Sequence, residues 1–509
     1  MRNLSKSKII AFRQCPKRMW LEIHKPELRD DSASVMVFAI GNQVGDVARG
    51  IYDTAGTGRL IDVDENGWDA AYAETSAWLA ETAAPLFEAA IRIEGALALA
   101  DVMLPELGDK GLRWHMIEVK SSTGVKDYHH DDLAVQTYIA TTAGIELASA
   151  SLAHVDNSFV YPGGGDYRGL LKAVDLTDEV RAKAGEVTIW IAEAQRVAAL
   201  ANEPKIETGP QCSKPFDCPF RHHCDRDKPS VEFPLSSLHR LGAKQRDELE
   251  ALGYADLREV PDEKLSTVNR MIKTQSLTGE AWFDAKGAAA DLKPHKGTAY
   301  FLDFETISFG VPIWKGTRPY QQLPFQFSLH VVSGSGGIEH HDFLALSGED
   351  PSEDFACALI ANCGTRGPVF VYNAGFENGV MRGLAGRFPH LSHGLLAIVD
   401  RVVDLLPIAR NRYYHPSQHG SWSIKAVLPT VCPDLTYDSL EGVQHGQAAQ
   451  GAFLEAMAPG TSPERKAQIE RQLLAYCKLD TLAMVRLWEF FSGSQNNPCA
   501  GKAPASPVS

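Results

Sequence analysis

The chain has 509 residues, a formal net charge of −14, 44% hydrophobic residues and 22% charged residues, so it can bury a sizeable core and hold roughly two to four domains. The negative charge weighs against wholesale coating of nucleic acid, because phosphate binding rests on Lys and Arg. It leaves room for a local basic channel: residues 1–30 hold Arg2, Lys6, Lys8, Arg13, Lys17, Arg18, Lys25 and Arg29 against Glu22, Glu27 and Asp30. No apolar run reaches the ~18–20 residues that a membrane helix needs; the best candidate, Leu86 to Leu104, is broken by Glu88, Arg92, Glu94 and Asp101. Met1-Arg2-Asn3-Leu4-Ser5-Lys6 has no apolar core behind its charges, so it does not read as a secretory signal. A cytoplasmic location without membrane association is expected.

The first block runs to about residue 230, with helical segments early, strands predicted at 96–102 and 114–120, and a helix at 131–142. Asp101 ends the run Gly95-Ala96-Leu97-Ala98-Leu99-Ala100. Read as a strand, that run puts Leu97, Leu99 and Asp101 on one face and the alanines on the other; a helix competes, since Ala and Leu favour it. Trp114-His115-Met116-Ile117-Glu118-Val119-Lys120 reads as a strand with Glu118 and Lys120 facing one way. An Asp followed by Glu-x-Lys on a neighbouring strand makes a metal site with a lysine to steady the nucleophile or the transition-state charge. The next helix offers Gln136 and Tyr138 toward the same cleft.

This pattern is similar to the PD-(D/E)XK nucleases, in their RecB-like branch. The resemblance implies Asp101 and Glu118 as metal ligands and Lys120 and Gln136 as catalytic residues. The branch separates its helical Gln and Tyr by three residues and here one intervenes, so Gln136 carries over and Tyr138 does not. The branch also has a His after an early helix Gly, and Gly41-Asn42-Gln43-Val44-Gly45-Asp46 has none.

Cys212, Cys218 and Cys224 are evenly spaced by six in a Pro-rich segment, and Cys15 lies far upstream. Three clustered thiols and one remote one can close a four-thiolate site that pins the N-terminus to the end of this block. RecB-like nucleases with iron–sulfur clusters, of the Cas4 type, share the one-plus-three layout with a tighter first pair. A 4Fe–4S cluster is the first expectation. Structural Zn2+, with His222 or His223 in place of a thiol, is the alternative.

Residues 235–290 read as a helical linker, from Leu238, Leu241, Leu249, Leu252, Leu257 and Val260 with a turn at Gly253. Such a unit is similar to the helix-hairpin-helix elements that grip DNA backbone; a small helical linker packed on its neighbours is the competing reading. In the third block, 297–492, strands are predicted at 299–304, 325–332, 341–346 and 368–372, and helices at 354–361, 377–386 and 463–490. Strands followed by alternating helices and strands suit an α/β layer fold. Residues 493–509 are poor in apolar side chains and are expected to be disordered.

Tyr300-Phe301-Leu302-Asp303-Phe304-Glu305-Thr306 is an apolar strand ending in two carboxylates on one face. Neighbouring carboxylates raise each other's pKa unless a cation shares them, and hard Mg2+ or Mn2+ suits such oxygens. Solvated strand ends also carry acid pairs, so the motif gains weight from two further pieces. Val369-Phe370-Val371-Tyr372 runs into Asn373-Ala374-Gly375-Phe376-Glu377, and Tyr476 and Asp480 lie four apart on one helix face. Carboxylates converging from a strand, a turn and a helix are what a two-metal phosphoryl-transfer site needs.

The arrangement resembles the DEDD exonuclease superfamily, whose fold is ribonuclease H-like, in the subgroup with Tyr before the last Asp. The resemblance implies metal binding by Asp303, Glu305, Glu377 and Asp480 and water orientation by Tyr476. Glu377 departs from the family's Asp by one methylene, and Asp404 falls where relatives carry a structural or nucleotide-facing acid. Taken whole, the layout looks like a bacterial fusion family, the domain-of-unknown-function-2779 proteins. It implies a multi-domain α/β chain: a PD-(D/E)XK domain with a Cys cluster at 1–230, the linker, and an RNase H-like exonuclease domain at 297–492. The expectation is a metal-dependent nuclease with two active sites and DNA as partner, RNA as the lesser variant, in repair or defence. The rival expectation is a nucleic-acid-binding or redox-sensing module with one or both sites inactive.

Overall fold

The computed structural model describes residues 1–30, 35–109, 111–228, 230–334 and 337–494; the expected disordered tail lies, from residue 495 onward, outside the described residues. The chain is mixed α/β and divides into two compact units, Met1–Pro229 with Phe309–Gln321, and Ser230–Ser308 with Gln322–Ser509. Among the described residues no helix is long and apolar enough to cross a membrane.

The first unit opens with α1 (Lys6–Gln14), α2 (Pro16–His24), α3 (Val35–Tyr52) and α4 (Trp68–Glu81). Ser5 caps α1 by accepting from the Lys8 N–H, and Pro16 starts α2, where a missing N–H costs nothing. A sheet follows: β1 (Leu86–Ile93), β2 (Ala96–Gly108), β3 (Gly111–Lys120), then α5 (Asp127–Thr142), β4 (Leu147–Val155), β5 (Leu171–Asp175) and α6 (Ala184–Ala198). The strand, not the helix, is therefore the conformation of residues 96–101. Alternation of Leu and Ala lets the strand bury both faces, and pairing on both sides satisfies its backbone. With Leu4–Ser5 and Arg59–Leu60 the sheet has seven strands among the described residues, its main path running β1-β2-β3-β4-β5. The β1-β2 and β2-β3 pairs are antiparallel and β3-β4 is parallel, with α5 as the crossover.

Residues 309–321 fold with this first unit. Val311 packs with Val44, Val155 and Leu170, and the Tyr320 hydroxyl donates to the Ser121 carbonyl just past Lys120. They interrupt the stretch expected as one continuous domain from 297 to 492. Their apolar side chains find their core in the other unit.

In the second unit, α7 (Ala243–Ala251) and α8 (Thr267–Thr278) are separated by two 3-10 turns and followed by α9 (Ala285–Leu292). This block, read from sequence as a linker, places Leu249, Leu257, Ile272 and Leu292 in one hydrophobic core with Phe301, Phe370 and Leu405. The five-stranded sheet comprises β6 (Ala299–Ile307), β7 (Leu323–Val332), β8 (Ile338–Leu344), β9 (Val369–Val371) and β10 (Val402–Asp404), in the order β8-β7-β6-β9-β10. The first three are antiparallel and the last two run parallel to β6. Central β6 is flanked on both sides, which accounts for its nearly continuous apolar sequence. The helices that frame this sheet include α10 (Ser352–Asn362), α11 (Ala374–Arg387), α12 (Leu405–Arg412), α13 (Ile424–Val431), α14 (Gly446–Met457) and α15 (Pro463–Ser492). Ser462 caps α15, Pro463 begins it and left-handed Gly493 ends it.

Candidate metal centres

In the second unit β6 delivers Asp303 and Glu305, and α15 crosses β6 and β7 to deliver Tyr476 and Asp480. One carboxylate oxygen from each of Asp303, Glu305 and Asp480 lies within 4.8 Å of the others. Burial, then the Asp480 charge, pushes Glu305 up to about 8. Burial raises Asp480 to about 6 against the opposing Tyr437 hydrogen bond and Lys425 charge. Asp303 is driven well above the carboxylate range by burial and by Asp480, Glu305 and Glu377. Without a cation the cluster therefore keeps protons at neutral pH; three adjacent carboxylates cannot all ionise in a desolvated cleft.

Glu377, in the first turn of α11, stands outside that tight group. Its side chain is buried, Oε2 has no hydrogen-bond partner, and burial raises its pKa to about 8. Asp404 holds the turn before it: its carboxylate accepts from the Asn373 N–H at 2.9 Å, the Ala374 N–H at 3.0 Å and, as cap of α12, the Leu406 N–H at 2.9 Å. With all three donors from backbone, Asp404 is a structural acid.

Two side chains at this site carried no signal in the sequence. The Tyr437 hydroxyl donates to Asp480 Oδ1 at 2.5 Å. Lys425, on α13, donates from Nζ to the Tyr476 hydroxyl at 3.1 Å and to the Gln444 carbonyl at 2.7 Å, and lies over both tyrosine rings. Neither has a spacing relation to β6 or α15, so only the fold brings them in. Buried polar contacts seat α15 on β7: Gln326 donates to the Leu473 carbonyl at 2.8 Å, and Ser328 and His330 meet the Thr481 hydroxyl at 2.7 and 2.8 Å. Burial lowers His330 to about 3, so it serves as a neutral hydrogen-bond partner.

In the first unit Asp101 on β2 and Glu118 and Lys120 on β3 sit on neighbouring interior strands. Asp101 accepts from the Val119 N–H at 2.7 Å, and burial followed by the Glu118 charge raises it to about 8. Glu118 is 2% exposed; its Oε1 takes both Lys6 Nζ and Lys120 Nζ at 2.6 Å, while Oε2 has no partner. Asp132 on α5 also pairs with Lys120 and, at 3.6 Å, with Lys6. Burial alone would lower Lys120, but Glu118 and Asp132 hold it well above its usual value. Burial would raise Asp132, yet the two lysines depress it. The sequence counted Lys6 only among the basic residues of 1–30 and did not single out Asp132, because a lone charge on a helix has no spacing relation to the acids of β2 and β3. Gln136 is fully buried and donates to the Leu99 carbonyl, tying α5 to β2 beside Asp101. Tyr138 packs with the main core.

Cys15, Cys212, Cys218 and Cys224 line one small enclosed pocket with Lys17, Arg18 and Phe220. Gln14 donates to the Gln211 and Phe216 carbonyls at 2.8 and 2.7 Å, pinning the N-terminal helices to the cysteine loop. Burial raises the Cys218 and Cys224 thiols, unlike a reactive thiolate. His223 is engaged by Glu203 at 3.1 Å and Arg226 at 2.7 Å, and His222 is exposed; neither lines the pocket. Among the described residues no three thiols come within 4.8 Å of one another, whereas tetrahedral zinc with ~2.3 Å bonds needs sulfurs about 3.8 Å apart.

Comparisons with known proteins give two relatives by sequence. The chain is 28% identical over 234 residues to the "Uncharacterized protein MG366 homolog" of Mycoplasma pneumoniae, a match covering 41% of this chain and 35% of the relative. It is 26% identical over 234 residues to "Uncharacterized protein MG366" of Mycoplasma genitalium, with the same coverage. The chain thus spans about a third of these relatives' length. The family model described as "Domain of unknown function (DUF2779)" matches residues 300–423, a segment holding Asp303, Glu305, Glu377 and Asp404 but ending before Tyr476 and Asp480. The chain carries a DUF2779 domain, and that domain supplies β6 with two acids of the Asp303–Glu305–Asp480 cluster.

Proposed function

We propose that this protein is a divalent-metal-dependent nuclease, acting on DNA first and RNA as the lesser variant, with an RNase H-like DEDD site in the second unit and a PD-(D/E)XK site in the first. The observation that carries the reading is the convergence of Asp303, Glu305 and Asp480 within 4.8 Å. Asp303, Glu305 and Asp480 are the residues to hold Mg2+ or Mn2+, with Glu377 an outer acid. The chemistry such ions supply is a water of lowered pKa and a stabilised leaving oxygen. Cation uptake must release the carboxyl protons, so affinity rises with pH. Tyr437 fixes the orientation of Asp480, and Lys425 fixes the hydroxyl of Tyr476 for orienting the attacking water. In the first unit Asp101 and Glu118 are the candidate ligands and Lys120 the candidate charge stabiliser. The wide thiol spacing and the engaged histidines favour a 4Fe–4S cluster over zinc as the structural clasp.

The test is digestion of end-labelled single- and double-stranded DNA and RNA with Mg2+ or Mn2+, using Asp303→Ala, Glu118→Ala and the double variant. Each single variant should remove one activity and the double variant both. No cleavage by the parent, or cleavage untouched by the double variant, overturns the reading. One observation favours a binding module instead: Glu118 already holds two lysines of its own chain at 2.6 Å. Metal-independent DNA binding without cleavage would decide for that alternative.

A further inference from the structure

After α9 the chain reads Lys293-Pro294-His295-Lys296-Gly297 and turns into β6. This turn lies beside Trp488 of α15. Ala289, Ala290, Lys293, His295, Lys296 and Trp488 border a cavity of about 390 Å3, within the ~300–1,000 Å3 of small-ligand sites. Lys286, Ala289, Ala290 and Lys293 are three or four residues apart and share one stripe of α9, and the two alanines leave that stripe open to close approach. Trp488 is half-buried, its ring packed on Phe301 at 5.7 Å and Phe370 at 6.3 Å, so it makes a fixed wall. Lys286, Lys293 and Lys296 are exposed, and among the described residues none of them pairs with an acid. The nearby acids are already engaged: Asp284 and Asp291 by Arg412 at 2.7 and 2.8 Å, and Glu489 by Arg486 at 2.8 Å. A chain of net charge −14 thus presents a positive spot against an aromatic ring.

We propose that this cavity is a subsite for a single strand of nucleic acid, with Lys293 and Lys296 on its phosphates and a base against Trp488. The assignment of substrate form rests on the nuclease reading of the second unit. Basic side chains for the backbone and a ring for the base are the two contacts by which proteins hold single strands. A base inside a duplex has both faces covered by its neighbours, so the ring selects unpaired strand. Trp488 follows Asp480 by eight residues on α15, which is ~12 Å along the axis at ~1.5 Å per residue. At ~3.4 Å per stacked nucleotide, a strand of about four nucleotides has the length to run from the acid cluster to the cavity.

The experiment uses the full chain carrying Asp303→Asn, in EDTA so that no strand is cut. Binding of a fluorescein-labelled oligothymidylate is followed by anisotropy across a salt series, and melting temperatures are recorded on the same samples. Lys293→Gln combined with Lys296→Gln should weaken binding about tenfold or more at low salt. It should also flatten the slope of log affinity against log salt by about 1.4, for two phosphates at ~0.7 each. Trp488→Leu should cost about tenfold with that slope unchanged, and should cost little on an abasic strand. Trp488→Phe, which keeps a ring, should recover most of the loss; if the Leu variant melts well below its parent, the Phe variant and the abasic strand carry the comparison. Affinity and slope unchanged in the lysine pair overturn the subsite, and so does a parent that binds the abasic strand as tightly as oligothymidylate. Duplex or inorganic polyphosphate bound as tightly as single strand makes the cavity a general anion site and overturns the assignment too. Cleavage with Mg2+ is scored separately on the chain with Asp303 intact. Cleavage together with lysine-independent binding overturns this proposal alone, whereas lysine-dependent binding without cleavage overturns the nuclease reading alone.

Discussion

Raising the pH of protein stripped of divalent ions should destabilise the second unit across a range in which most folds change little. Glu305 moves from 4.5 to about 8 and Asp480 from 3.8 to about 6. A carboxyl whose folded value is raised keeps its proton after the unfolded chain has released its own. Its stabilising contribution is therefore complete below about pH 4 and is lost as pH climbs through the folded values, between about pH 4 and pH 8. At ~1.4 kcal/mol per unit, the Glu305 shift alone corresponds to about 4 to 5 kcal/mol. Relaxation of a real interior toward an effective dielectric near ~20 reduces this to about 2 to 4 kcal/mol. Scanning calorimetry at pH 5, 7 and 9 should show the second unit's transition falling by several degrees, and Mn2+ at pH 8 should restore it. Asp480→Asn removes the charge that most opposes Glu305 ionisation, so its slope against pH should be visibly shallower. A melting temperature that is flat or rising from pH 5 to pH 8, or an Asp480→Asn slope equal to the parent's, refutes the argument.

Two further outcomes follow from particular contacts. Lys425→Met removes the cation that touches the Tyr476 hydroxyl and sits over two tyrosine rings; kcat of the second unit's activity should fall on the order of tenfold, the worth of one charged hydrogen bond, with KM little changed. Lys425→Arg should recover most of the loss, and an unaltered kcat in the Met variant would remove Lys425 from the site. Gly420 has φ +76° and a Cβ there would lie 1.8 Å from the Ser237 carbonyl oxygen. Gly420→Ala should therefore cost more than about 2 kcal/mol in urea unfolding of the second unit. An unchanged midpoint would mean that the 235–290 block is not packed on this core.

What could be read from the sequence was local. Alternation and apolar runs locate the strands that bear Asp303, Glu305, Asp101 and Glu118, and the four-residue spacing puts Tyr476 and Asp480 on one face of a helix. These periodicities follow from backbone geometry within a single element. The same reasoning ran 297–492 as one stretch, whereas residues 309–321 group with the first unit, and it left open whether 235–290 grips DNA or packs on its neighbours, because membership of a core depends on partners far away in the chain. Only the tertiary structure brings Lys425 and Tyr437 to Asp480, sets Lys6 and Asp132 around Glu118, and turns Asp404 into a clasp for the Asn373 turn. Lone charges and tyrosines in separate elements have no mutual spacing rule; strand register and helix docking alone decide which of them meet.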